Sequence, residues 1–294
     1  MKKVKLIHRN NQRHWVGDGF PVRTMFSYND LARELSPFLL LDYAGPVNFP
    51  PSTHRRGVGE HPHRGFETVT IVYDGEVEHR DSAGGGGVIG PGDVQWMTAA
   101  SGLVHEEFHG KEFSASGGKF EMVQLWVNLA AKDKVAKPGY QSITDKQIPQ
   151  VPLADGAGQV RVIAGVYAGA KGPARTFSPM QVWDVRMNKG KSASFSLPDG
   201  DTAVLFILKG SVRSHEGGET ADDATLIVFE RSGSEIAVEA LKDSTVLLLS
   251  GQPIDEPIVG YGPFVMSSEA EIRQAMADYQ SGKMGHIAVS ATAN

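Results

Sequence analysis

Two short stretches of this chain hold residue types that bind metals. Glu60-His61-Pro62-His63-Arg64-Gly65-Phe66-Glu67-Thr68 carries two histidines one residue apart. Gly102-Leu103-Val104-His105-Glu106-Glu107 carries a histidine and a carboxylate at the same spacing. On a strand, alternate side chains share a face. His61 and His63 can therefore point inward together, and so can His105 and Glu107. If the two strands are neighbours in one small β-barrel, the four groups converge. Three imidazoles and one carboxylate, without sulfur, suit a divalent first-row metal. Four protein ligands around a metal that prefers six leave two positions open. That favours chemistry over a storage-like structural role, because structural sites are usually closed. This ligand mixture points first to Fe(II) in oxygen-using proteins. Mn, Co, Ni, Cu and Zn also fit, and affinity order alone ranks Cu above Fe.

A lone His-x-His is commonly accidental, and the second inward pair is what gives the pattern weight. Glu67, four residues after His63, is an alternative fourth ligand to Glu107. Glu106 should face away from His105 on a regular strand. His79 can line the same cavity, or equally be a strand residue hydrogen-bonded to a neighbour. His54, His109, His215 and His286 have no partner pattern and read as structural or exposed. Gly84 to Gly87 lacks the Lys-Ser/Thr and the helix of a phosphate loop, and reads as a flexible hairpin tip.

The elements that must position these residues are mostly strands. Thr68–Tyr73 is β-branched and aromatic, and Asp74-Gly75 followed by Glu76–His79 is a strong hairpin signal. Val88–Asp93 reads as a strand entering a turn. Met122–Leu129 is another strand, with Val123, Leu125 and Val127 on one face and Met122, Gln124, Trp126 and Asn128 on the other. The 34 glycines and 16 prolines are spread along the chain, as in a protein of many short strands and tight turns. Strand patterns resume at Val160–Val166, Gln181–Met187, Ala203–Leu208, Thr225–Phe229, Ile236–Val238 and Thr245–Leu249.

An internal repeat divides the chain. Ile71-Val-Tyr-Asp-Gly75-Glu-Val77 resembles Phe206-Ile-Leu-Lys-Gly210-Ser-Val212. Equating Gly75 with Gly210 places His61 and His63 on Ser196 and Pro198, which ligate metals poorly. Two related barrels, only the first with a metal site, is the economical reading. The expected segments are a metal-binding barrel over 1–135, a connector over 136–158, a second barrel without metal ligands over 159–262, and a helix and tail over 263–294. In the last segment Ser268-Glu269-Ala270-Glu271 is a capping box. Ile272, Ala275, Met276 and Tyr279 form one apolar stripe, and Gly282 is placed to end the helix. A shorter helical turn is expected over Asn29–Leu35.

Composition narrows the function classes. With 294 residues the chain can bury a large core. It has no cysteine, which excludes disulfides, thiolate ligands and cysteine nucleophiles. Its net charge of −5 and the absence of a DNA-reading motif argue against direct nucleic-acid contact. No apolar run of signal-peptide length follows the basic N-terminus, and no stretch suits a bilayer span. The expectation is a soluble cytoplasmic protein without membrane association.

At these residues the sequence resembles the pirin family of the cupin superfamily. The matching segments are Pro37-Phe38-Leu-Leu-Leu-Asp42, His61-Pro-His-Arg-Gly-Phe-Glu-Thr68, His79-Arg-Asp-Ser82, Pro91-Gly-Asp-Val-Gln-Trp-Met-Thr98, Gln124-Leu-Trp-Val-Asn-Leu129 and Gly262-Pro-Phe-Val-Met266. The resemblance implies an all-β chain of two cupin barrels of jelly-roll type, with iron in the first. It also implies His61, His63, His105 and Glu107 as ligands, preferring Glu107 over Glu67. One departure is Ala99-Ala-Ser-Gly-Leu-Val104, where pirins usually have Ala-Gly-x-Gly-Ile; Glu106 also replaces a small residue. An extra carboxylate there can alter metal preference or the charge at the pocket mouth.

Several pirins resemble quercetin 2,3-dioxygenases, which open the central ring of a flavonol with O₂ and release carbon monoxide. For this chain that implies flavonol-like substrates and O₂. The metal would lower the pKa of the flavonol 3-hydroxyl, and Glu107 would act as general base. Phe66, Trp96 and Met97 are candidates to line the substrate site. Other pirins resemble co-regulators of transcription factors or metabolic enzymes, which implies a protein partner and an iron-dependent surface instead.

Overall fold

The computed structural model describes residues 1–215 and 218–287. The chain divides into two compact units. One contains Gln12–Asp30, Phe38–Asp145 and Asp255–Asn294; the other contains Met1–Asn11, Leu31–Pro37 and Lys146–Ile254. In chain order the first twelve strands are β1 (Val4–Arg9), β2 (His14–Val16), β3 (Phe20–Phe26), β4 (Phe38–Phe49), β5 (Gly57–His63), β6 (Phe66–Asp74), β7 (Val77–Asp81), β8 (Gly86–Ile89), β9 (Val94–Thr98), β10 (Leu103–His109), β11 (Gly118–Asn128) and β12 (Gly139–Ile143). The helices are α1 (Ala32–Leu35), α2 (Lys111–Ser116) and α3 (Glu269–Gln280).

In the unit holding the histidines, a seven-stranded sheet in the order β12-β9-β6-β11-β4-β3-β2 accompanies a four-stranded sheet in the order β5-β10-β7-β8. Phe20, Val22, Ala44, Val72, Val77, Phe120 and Met122 form one apolar cluster within the unit. Burial of such side chains contributes roughly 1.5–3 kcal/mol each. Gly75 makes the tight hairpin between β6 and β7 with a φ of 85°, as the Asp-Gly signal predicts.

The second unit repeats the plan. Its seven-stranded sheet contains β1, Thr225–Phe229, Thr202–Lys209, Ser244–Gly251, Met180–Met187, Gly158–Ala164 and Gln150–Pro152. Its four-stranded sheet contains Ser192–Ser196, Glu235–Ala240, Ser211–Ser214 and Thr220–Asp222. Gly210 turns the hairpin equivalent to that at Gly75, with a φ of 101°. Ser196 ends a strand of the smaller sheet, as His61 and His63 end β5. The core here is apolar: Trp183, Phe195, Leu205, Ile207, Val238 and Leu248 pack together.

The units are not the contiguous segments expected from the sequence. β1 pairs with Thr225–Phe229, so the first residues belong with the second unit. The C-terminal segment from Asp255 groups with the histidine-bearing unit. The expected connector 136–158 contains β12, which pairs with β9, and Gln150–Pro152, which pairs with Gly158–Ala164. Edge pairing is a long-range choice that turn-rich composition does not reveal. The capping box forms as expected: Ser268 accepts from the Glu271 N–H, and Glu271 accepts from the Ser268 hydroxyl and the Ser267 N–H. Ile272 and Ala275 are buried, whereas Tyr279 is exposed, and the buried face ends on Asp278. Among the described residues no helix is long and apolar enough to cross a membrane.

Candidate metal centre

β10 supplies the centre of the site because it has a partner on each edge. It pairs with β5, placing His105 opposite His61, and with β7, placing His105 opposite Asp81 and Glu107 opposite His79. One face of this sheet therefore carries His61, His63, His105, Glu107, His79 and Asp81. The His61 and His105 ring centroids are 4.3 Å apart, those of His63 and His105 4.8 Å, and those of His61 and His63 4.9 Å. The potential ligand atoms of these three histidines lie within 4.8 Å of one another. Glu107 belongs to a second such group, with His79 and His105, so His105 is common to both.

The imidazoles are oriented by hydrogen bonds to the backbone. His61 donates through Nδ1 to the Gly59 carbonyl (2.8 Å), and His63 donates through Nδ1 to the Pro263 carbonyl (3.4 Å). Each is left with a bare Nε2, the form a metal requires. His105 Nε2 is buried without a hydrogen-bond partner. An orphaned buried nitrogen beside two free imidazole nitrogens fits a divalent cation. Burial, then the neighbouring His61, holds the His63 and His105 pKa values well below the usual histidine range. Both are therefore neutral at pH 7 and present lone pairs rather than protons.

Glu107 is held by two amides that the sequence reading did not identify. Gln95 on β9 and Gln124 on β11 each donate through Nε2 to one carboxylate oxygen, Gln124 at 2.9 Å. Gln95 also donates to the Thr70 hydroxyl (3.0 Å) and accepts from the Tyr140 hydroxyl (3.2 Å). Strand parity put Gln124 on one face with Trp126 without showing that this face is inward; pairing of β9 with β6 was needed to place Gln95 beside Thr70.

Parity also removes Glu67 from the site. It lies three residues before Thr70 on β6, and Thr70 faces Gln95, which bonds Glu107, so Glu67 points to the other face of the sheet. There it accepts from the Thr98 hydroxyl (2.7 Å), and burial raises its pKa to about 7. Glu106 faces away from His105, as expected, and accepts from Arg80 Nε at 2.9 Å.

Of the three residues expected to line a substrate pocket, two face the site. Phe66 lies with its ring 5.2 Å from that of His63, and Met97 packs with Leu103 and Tyr140. Trp96 does not: it pairs with Val69, on the Glu67 face. Adjacent residues of one strand cannot both point inward, and Met97 takes that position. The aromatic wall is completed instead by Trp126, stacked on Phe66 at 4.2 Å and edge-on to His63 at 5.2 Å, and by Tyr140, stacked on His79 at 4.9 Å.

A buried lysine fastens the turn that carries His63. Lys134 donates to the Gly65 and Val265 carbonyls (2.7 and 3.0 Å) and to Asn128 Oδ1 (2.7 Å). Burial lowers its pKa to about 8. Arg64 adds an ion pair to Asp278 on α3 (2.9 Å). Lys134→Met would leave three acceptors unpaired. It is expected to cost about 3 kcal/mol, read as a lower urea midpoint; an unchanged midpoint would show that the clasp contributes nothing.

Residues 19–127 match the model of the family described as pirin, and residues 182–285 match that of the pirin C-terminal cupin domain. The chain belongs to the pirin family. A Pseudomonas aeruginosa pirin relative, named "Putative quercetin 2,3-dioxygenase", is 57% identical over 96% of this chain and 98% of its own. Human pirin is 35% identical, covering 97% of this chain and 94% of its own. The crystal structure of quercetin 2,3-dioxygenase from Acinetobacter baumannii superposes with a TM-score of 0.95 at 52% identity, over 98% of this chain and 100% of that one. This pirin thus contains two cupin domains.

Proposed function

We propose that this pirin is a metal-dependent dioxygenase that cleaves flavonols with O₂ and releases carbon monoxide. His61, His63, His105 and Glu107 would hold the metal, Fe(II) first among the candidates. The single observation that carries the reading is the buried, partnerless Nε2 of His105 within a group of three histidines whose potential ligand atoms lie within 4.8 Å of one another. The two relatives named for quercetin 2,3-dioxygenase support the substrate class.

The bound metal would supply Lewis acidity, lowering the pKa of a flavonol 3-hydroxyl. The protein's part is to orient the substrate, take its proton and keep water out. Trp126 and Phe66 form a stacked pair beside His63, matched to a flat aromatic ring. Each Glu107 oxygen accepts one amide N–H and retains lone-pair capacity, so the carboxylate is fixed yet still able to accept the hydroxyl proton. The apolar cluster of Phe20, Val72, Phe120 and Met122 gives the unit a dry interior, which strengthens such electrostatic contacts.

The deciding experiment supplies anaerobic, Fe(II)-loaded protein with quercetin, admits O₂ and measures carbon monoxide. Stoichiometric CO supports the proposal. Absence of CO across several flavonols, with the metal bound, overturns it in favour of a metal-dependent binding role. Trp126→Ala is expected to raise KM for the flavonol at least tenfold while leaving metal content unchanged, because it removes stacking surface and no ligand.

A further inference from the structure

A line of buried groups approaches His105 through Nδ1, the ring nitrogen not assigned to the metal. Asp81 Oδ2 is 3.0 Å from His79 Nε2, and His79 Nδ1 is 3.2 Å from His105 Nδ1. The His79 and Asp81 side chains are 0% and 1% exposed, so the pair is shielded from bulk solvent. Two imidazole nitrogens in contact need one proton between them: two bare nitrogens would repel, and so would two N–H groups. The carboxylate decides which ring provides it. Asp81 can only accept, so His79 donates to it through Nε2, and as a neutral ring His79 is then left with a bare Nδ1. His105 must then donate through Nδ1, and its Nε2 is left bare on the side of His61 and His63.

We propose that Asp81, acting through His79, is a positioning residue that fixes His105 in the tautomer whose Nε2 can bind a metal. This rests on reading His61, His63 and His105 as a metal site, and not on the flavonol chemistry.

The Asp81 end of this line is held in place by the backbone. Asp81 Oδ1 accepts the backbone N–H groups of Ala83 (2.9 Å) and Gly85 (2.8 Å). Burial opposes ionisation of Asp81, but these bonds and the one from His79 outweigh it and hold its carboxyl below the usual range. The Tyr140 ring lies 11° from parallel on His79. A side chain at Gly85 would meet Asp81 Oδ2 at 2.4 Å and the Tyr140 Cβ at 2.6 Å. The glycine run at 84–87 is therefore more than a flexible tip: Gly85 makes room for the carboxylate that ends the chain.

Asp81→Asn gives a sharp test because it is isosteric. Oδ1 must remain the oxygen, since two backbone N–H groups point at it. The new amide nitrogen then faces His79 Nε2 and donates to it. The His79 proton moves to Nδ1 and is donated to His105 Nδ1, and the His105 proton moves to Nε2. Both rings stay neutral, yet His105 now presents N–H where the metal should bind.

The experiment is a long-range ¹H–¹⁵N imidazole correlation on the metal-free full chain, paired with Ni(II) titration. The expected result is Nδ1–H at His105 in the native protein and Nε2–H in Asp81→Asn, with Ni(II) affinity lowered about 10- to 100-fold. His79→Gln, whose amide oxygen can accept from His105 Nδ1–H, should keep the native tautomer and most of the affinity. His79→Leu should lose it. An Nε2–H His105 in the native protein, or an Asp81→Asn variant with native tautomer and affinity, overturns the proposal. A tautomer switch in protein that binds no Ni(II) overturns the metal reading and leaves the proton chain supported.

Discussion

Replacing His105 by alanine is expected to abolish both metal binding and turnover. His105 is the one residue common to the two groups of potential ligands, and it is fully buried. Its neighbours His61 and His63 lie on one strand and approach from one side. Without His105 neither group retains three potential ligands. The change removes a ligand outright, so affinity should fall by more than the 10- to 100-fold cost of losing a ligand's hydrogen-bond partner. Metal content after Fe(II) reconstitution, followed by the CO assay, measures both effects. His54→Ala is the control: His54 is largely exposed and bonds to Asp18 and the Ser52 hydroxyl, away from the histidine cluster, so metal content and CO release should be unchanged. Full oxygenase activity in a metal-free His105→Ala preparation would sink the proposed function.

Metal-free protein should lose stability steeply on the acid side of neutrality. The folded-state pKa values of His63 and His105 are depressed, chiefly by burial. Above the unfolded-state value of roughly 6.5, both states carry neutral imidazoles and the stability is fully present. As pH falls below it, the unfolded chain takes up protons that the folded chain refuses. Stability therefore declines with falling pH down to the folded pKa values. Two histidines give a slope of up to about 2.7 kcal/mol per pH unit in that window. Bound metal should hold the rings deprotonated in the folded state and shift the whole curve upward by mass action. Urea unfolding of metal-free protein between pH 7 and pH 5 checks the slope. Replacing both histidines by phenylalanine should flatten it, and a slope unchanged by that substitution would assign the acid sensitivity elsewhere.

The proton chain to His105 shows why a list of ligands is an incomplete description of this site. His61 and His63 take their orientation from main-chain carbonyls, which any sequence supplies. His105 takes its orientation from side chains, and a single charge on Asp81 propagates through His79 to the metal-facing nitrogen. A tautomer set in this way is sensitive to isosteric substitution, which shape-based reasoning would treat as harmless.

Much of the site was legible in the chain itself. The spacing of His61 with His63 and of His105 with Glu107 places each pair on one face, because a strand has a period of two, and that rule holds whatever the tertiary structure. The Asp74-Gly75 hairpin, its echo at Gly210 and the capping box at Ser268 are local as well, set by backbone sterics and by hydrogen bonds within a few residues. Other features depended on which strands meet. Parity could not say which face of β6 or β9 is inward, so Glu67 stayed open and Trp96 was assigned to the wrong side. Only the pairing of β6, β9 and β11 put Gln95, Gln124 and Trp126 in contact with the site. The strand swap at the N-terminus, the return of α3 to the histidine-bearing unit and the buried Lys134 clasp likewise join residues far apart in sequence. Such contacts are selected by the whole fold through burial and edge pairing, and no local pattern encodes them. The sequence thus determined which residues could bind a metal and in what pairs. The tertiary structure decided what holds each side chain in place and which aromatic rings lie beside the histidines.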